Sequence, residues 1–119
     1  MKNISIAWEV IDERTRQNEK WGEQNHPNGT GPGCKPLADV TTEHYSYPAE
    51  DLATLAKLAT DRAAARGDVT WRDILIEEVF EAFAEDDPAK LRAELVQVAA
   101  VAQQWVEAID RSHAEVVKP

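Results

Sequence analysis

The chain has 119 residues, 43% hydrophobic and 29% charged, with a formal net charge of -9 at pH 7 and a pI of about 4.7. That length supports one domain with a modest core, and the apolar content excludes a disordered chain. The acidic balance speaks against a binder of nucleic-acid polymers, which needs a basic surface, but leaves a nucleotide ligand open because metal ions offset repulsion between carboxylates and phosphates. Cys34 is the single cysteine, so no internal disulfide is available. No apolar run approaches membrane-spanning length, and the opening Met-Lys-Asn-Ile-Ser lacks a signal-peptide apolar region, so the chain reads as cytoplasmic with no membrane partner.

In chain order, the first helical segment runs from Ile4 to about Lys20, with Ile4, Ala7, Trp8 and Ile11 on one side. Gly22, Pro27, Gly29, Gly31, Pro32, Gly33 and Pro36 then punctuate a long loop, residues 21–47, of the kind that serves as a binding element or lid. Pro48 suits the first position of a second helix that runs to about Arg66, where Gly67 stops it. Its stripe is narrow and rich in small residues: Leu52, Leu55, Ala56, Ala59 and Ala63. Thr70 is a candidate N-cap for a third helix, Trp71 to about Glu85, with Asp73 supporting its positive end. Asp86-Asp87-Pro88 makes a tight reversal in which Asp87 caps and Pro88 opens a fourth helix reaching about His113; residues 114–119 read as a flexible tail. No alternating strand pattern and no repeat occurs. The pattern predicts an all-α chain, a four-helix bundle forming a single domain over 1–119.

Two acidic runs stand out on the last two helices, Glu77-Glu78-Val79-Phe80-Glu81 and Glu94-Leu95-Val96-Gln97. Glu78 with Glu81, and Glu94 with Gln97, share one face of their helix at a spacing of three. Ile74 and Leu75 on one helix and Leu91, Val98 and Val101 on the other make those faces otherwise apolar, where an uncompensated carboxylate is costly. The short reversal makes the two helices antiparallel neighbours, so the patches meet at similar height. Three carboxylates and one amide oxygen form an all-oxygen set suited to Mg²⁺ or Mn²⁺ rather than Zn²⁺.

At these residues the chain resembles the MazG-like nucleotide pyrophosphohydrolases of the all-α NTP pyrophosphatase superfamily. Their signature is Glu-Glu-x-x-Glu on one helix and Glu-x-x-Asp on the next; here it reads Glu77-Glu78-x-x-Glu81, twelve residues, then Glu94-x-x-Gln97. The stretch Asp12-Glu13-Arg14-x-Arg16-Gln17-x-x-Lys20-Trp21-Gly22-Glu23-Gln24-Asn25-His26-Pro27 is similar to the opening of small MazG-like proteins of phages and actinobacteria. The resemblance implies Mg²⁺-dependent cleavage of a nucleoside triphosphate, such as a deoxynucleotide or modified nucleotide, between the α and β phosphates. It implies Glu78, Glu81 and Glu94 as metal ligands, with Gln97 at the position where the family carries Asp. It gives Glu77 a catalytic part, either behind the metal ligands or in positioning the attacking water. It also implies a homodimer or homotetramer.

Phosphate charge calls for cations. Arg14, Arg16 and Lys20 on the first helix and Lys57 and Arg62 on the second are the candidates. Trp21 offers a stacking face for a base, and Gln24, Asn25 and His26 offer hydrogen bonds to its edge. Trp8, Trp71 and Trp105 fit the core or a subunit interface. Cys34, His44 and His113 make no zinc-type spacing. Gln97 cannot act as a base, which keeps open a non-catalytic nucleotide- or metal-binding bundle; a protein-interaction module is a third reading.

Overall fold

A computed structural model describes residues 4–34 and 47–117, with side chains for 5–34 and 47–113. Among them the chain is all-α, with helices α1 (Ile4–Trp21), α2 (Ala49–Arg66), α3 (Trp71–Ala84) and α4 (Pro88–Val117) and no strand. Residues 35–46 of the expected loop, Pro36 and His44 included, and residues 118 and 119 of the expected tail lie outside the described residues. The described part of the loop, from Gly22 to Cys34, holds no regular element.

The ends of the helices follow from local chemistry. At α3, Asp73 N–H donates to Thr70 Oγ1 (3.1 Å) and Thr70 N–H donates to Asp73 Oδ2 (3.0 Å), a reciprocal capping box. Gly67 ends α2 in the left-handed region (φ 78°), and Asp68 N–H reaches back to the Ala63 carbonyl at 2.9 Å. Pro48 differs from expectation. It lies just outside α2 as its N-cap, extended at φ -59° and ψ 145°, with its carbonyl accepting from Asp51 and Leu52 at 3.1 Å each. Proline's fixed φ is compatible with either place, and the extended ψ decides it. Pro88 does open α4, which runs past the expected end to Val117.

The chain divides into two compact units, Met1–Pro27 with Ala102–Pro119, and Asn28–Val101, with α4 contributing to both. In the first, Ile6 is buried, the one such residue among the described side chains of α1, while Trp8 and Ile11 of the expected apolar side are 58% and 48% exposed. Ile6, Val10 and Val106 instead contribute to a cleft of about 260 Å³ between α1 and the end of α4. A helical period identifies a stripe; which edge of it is covered depends on the partner.

In the second unit, α2 packs on α3. Ala49, Ala56 and Ala63 are buried, and small side chains at this spacing allow close helix approach. Leu55 and Ala59, expected in the same stripe, are exposed, which narrows the buried face. The Thr60 hydroxyl lies 3.0 Å from its own helix's Ala56 carbonyl and 3.2 Å from the Asp73 carbonyl of α3. With only Gly67 to Thr70 connecting the helices, that contact near the connected ends fixes an antiparallel pair. Ala82 is fully buried on α3, and Leu91 (5% exposed) is the buried residue of α4.

Candidate functional site

The reversal between α3 and α4 is fastened at both sides. Asp87 caps α4: its carboxylate accepts from Lys90 N–H (2.9 Å) and its carbonyl from Leu91 N–H (2.8 Å). Glu85 is extended, and its Oε1 accepts from Asp87 N–H at 3.1 Å. Glu81 stands one turn before Glu85 and Glu94 one turn after Lys90, so the fixed reversal brings them to the same level.

One carboxylate oxygen from each of Glu78, Glu81 and Glu94 lies within 4.8 Å of the others. All three side chains are half-buried. One oxygen of Glu78 and one of Glu94 is buried without a hydrogen-bond partner among the described residues, as is Oε1 of Glu77. Buried polar atoms are nearly always paired, so three orphan carboxylate oxygens in one place call for a positive partner. Desolvation raises the Glu78 pKa first, and the Glu94 and Glu77 charges add to it. Glu81 is raised by desolvation and then by Glu78, Glu77 and Glu94; the Lys57 ammonium acts in the opposite sense. Gln97 is exposed, one turn further along α4.

Among the candidate cations, Lys57 and Arg62 are exposed on α2 in the same unit as this cluster. Lys57 Nζ lies 3.6 Å from Asp61 Oδ2 in a surface ion pair. Arg14, Arg16, Lys20, Trp21, Gln24, Asn25 and His26 belong to the other unit. There Glu13, Arg16, Gln17, Lys20, Trp21 and Gln24 line an open cleft of about 610 Å³. Arg14 lies in an adjoining cleft of about 200 Å³ that shares Gln17, Trp21 and Gln24. Lys20 Nζ sits 4.8 Å over the Trp21 ring, which is 61% exposed. Arg16 is engaged locally, 2.8 Å from Glu13, whose carboxyl it and Gln17 hold below the usual range. Asn25 donates to Glu23 at 3.0 Å, and His26 Nε2 lies 3.2 Å from Gln24 Oε1.

Sequence reasoning missed the strap at the end of α3. Thr30 Oγ1 donates to the Glu85 carbonyl at 2.6 Å, Gly31 N–H donates to the Phe83 carbonyl at 2.9 Å, and Cys34 Sγ lies 4.0 Å from that carbonyl. These contacts occupy helix-end carbonyls that have no partner inside the helix. The only signal was Gly31 itself: its φ is 97°, and a Cβ there would lie 2.7 Å from Asp86 Cβ.

No family model, curated protein or solved structure matches the chain. No described helix is long and apolar enough to cross a membrane.

Proposed function

We propose that this chain is a divalent-metal-dependent nucleoside triphosphate pyrophosphohydrolase of the MazG-like type, releasing a nucleoside monophosphate and pyrophosphate. The observation that carries this reading is the convergence of Glu78, Glu81 and Glu94 oxygens within 4.8 Å, with buried carboxylate oxygens left unpaired. The donor set fits a hard cation: it is all oxygen and lacks the Cys or His that zinc prefers. Glu78, Glu81 and Glu94 would hold the cation, and Gln97, exposed one turn further along α4, would at most add a neutral carbonyl. When bound, Mg²⁺ or Mn²⁺ supplies Lewis-acid polarisation of phosphate oxygens and activation of water. Glu77, adjacent in sequence and with its own unpaired buried oxygen, would act behind these ligands or help position the attacking water. Lys57 and Arg62 of α2, in the same unit as the carboxylates, are the candidates for the phosphate contacts, and the protein works as a homo-oligomer in the cytoplasm.

The test is incubation with a panel of canonical and modified NTPs and dNTPs with Mg²⁺ or Mn²⁺, assaying pyrophosphate. Release from at least one nucleotide is expected; folded protein that releases none from any would end the enzymatic reading. The exposed amide at Gln97, where the resembled family has Asp, favours a second reading, a site that binds metal and nucleotide without turnover. In that case nucleotide binds with Mg²⁺ in calorimetry and stays intact, and Gln97→Asp creates turnover.

A further inference from the structure

We propose that Lys57 is the residue of α2 that receives the phosphate oxygens of a ligand drawn to the Glu78, Glu81 and Glu94 centre, and that it does so by leaving Asp61. The inference rests on the metal-centre reading above and names the cation that reading leaves open.

Register places Lys57 there. Thr60 faces α3, with its hydroxyl 3.2 Å from the Asp73 carbonyl. Lys57 is three residues earlier on the same face of α2, so in an antiparallel pair its backbone stands level with a point about one turn beyond Asp73, near Glu77. Helical side chains lean towards their own N-terminus, which on α2 is the direction in which α3 proceeds to Glu81. The electrostatics agree: Lys57 favours the ionised form of Glu81, against three carboxylates that oppose it. Arg62, two residues beyond Thr60, lies towards the opposite end of the pair.

The present partner of Lys57 holds it weakly. The Lys57 and Asp61 side chains are 64% and 60% exposed and their charged atoms are 3.6 Å apart. Exposed i,i+4 pairs of this kind are screened and easily exchanged. Loading the carboxylates with a divalent cation removes the attraction that Glu81 exerts on the ammonium and adds a repulsion. A polyphosphate bound to that cation reverses the sign again. Lys57 therefore opposes metal binding slightly and favours anion binding strongly, a pair of opposite effects that a structural role would not produce.

Mn²⁺ binding to wild-type protein, Lys57→Met, Lys57→Arg and Glu78→Gln is measured by the free Mn²⁺ spin-resonance signal. Binding of inorganic tripolyphosphate to the Mn²⁺-saturated proteins is then measured by calorimetry. Lys57→Met should bind Mn²⁺ at least as tightly as wild type, and about twofold or more tighter at low salt, yet lose about tenfold or more in tripolyphosphate affinity. Lys57→Arg should keep most of that affinity. Unchanged tripolyphosphate binding in Lys57→Met overturns the proposal while leaving the metal centre standing, provided wild type binds Mn²⁺ and Glu78→Gln does not. Parallel loss of Mn²⁺ and tripolyphosphate binding in Lys57→Met makes the residue structural and also overturns it. A wild-type protein that binds no Mn²⁺ removes both readings together.

Discussion

Glu78 carries two burdens, partial removal from water and the charges of Glu94 and Glu77. Its amide isostere keeps the shape and removes the charge. Glu78→Gln should therefore abolish pyrophosphate release and the Mn²⁺-induced rise in melting temperature, while the metal-free protein melts no lower than wild type; thermal melts with and without Mn²⁺ decide this. The pH dependence follows from the same residues. Glu78 and Glu81 are raised above the ordinary value of 4.5, so between 4.5 and their folded pKa values the folded state binds more protons than the unfolded one. Their contribution to stability is fully present below 4.5 and is lost as pH rises through the folded values. A cation needs the ionised carboxylates, so its stabilisation grows with pH over that window. Melts from pH 4.5 to 7 should show the Mn²⁺-induced shift increasing; a shift as large at pH 4.5 as at pH 7 would contradict the ligand assignment. At this scale the three glutamates were legible because a spacing of three puts charge on an apolar face. The strap residues Thr30 and Gly31 were not, because their partners are backbone carbonyls fifty-odd residues away, and carbonyls have no sequence signature.

The helices were legible where a terminus has chemistry of its own. Thr70, Asp73, Asp87, Pro88 and Gly67 each announce a start or stop, and each is found doing so. Pro48 sits one position further out than the sequence suggests, since proline satisfies the N-cap and the first turn alike. The covered face of α1 was not legible, because Ile6, Trp8 and Ile11 are all apolar and only a partner selects among them. Loss of the Thr70 cap should cost stability without touching the carboxylates. Thr70→Ala is expected to destabilise the protein by about 1 kcal/mol in denaturant unfolding. A loss below a few tenths would mean that the capping box contributes little. Gly31→Ala combines a positive φ with a contact of 2.7 Å to Asp86 Cβ, and so should dislodge the strap. It should lower the melting temperature more than Gly29→Ala, whose added Cβ meets nothing within 4 Å although its φ is 70°. Equal effects would show that backbone strain alone matters.

At the scale of the whole molecule, the described residues bury few large side chains. Ile6 and Leu91 are buried, the other buried core residues are alanines, and Leu55, Leu58, Phe83, Leu95, Val96 and Ile109 are among the exposed apolar residues. Scattered exposure is ordinary, but Leu55 and Leu58 sit together on one side of α2, where a second copy would have something to cover. The proposed homo-oligomer should therefore respond to charge there: Leu58→Glu should reduce the sedimenting mass towards that of one chain and leave the helical circular-dichroism signal intact. Wild-type protein that sediments as a monomer at micromolar concentration would refute the oligomer.

The Gly31 amide is bonded to Phe83 at the end of the helix that carries Glu78 and Glu81. In hydrogen exchange it should behave less like a loop amide than like the last turn of α3, opening only when that turn frays. It is thus a built-in reporter. Slowed exchange at Gly31 on adding Mn²⁺ would register, from outside the carboxylate cluster, that the helix beneath it has been tightened.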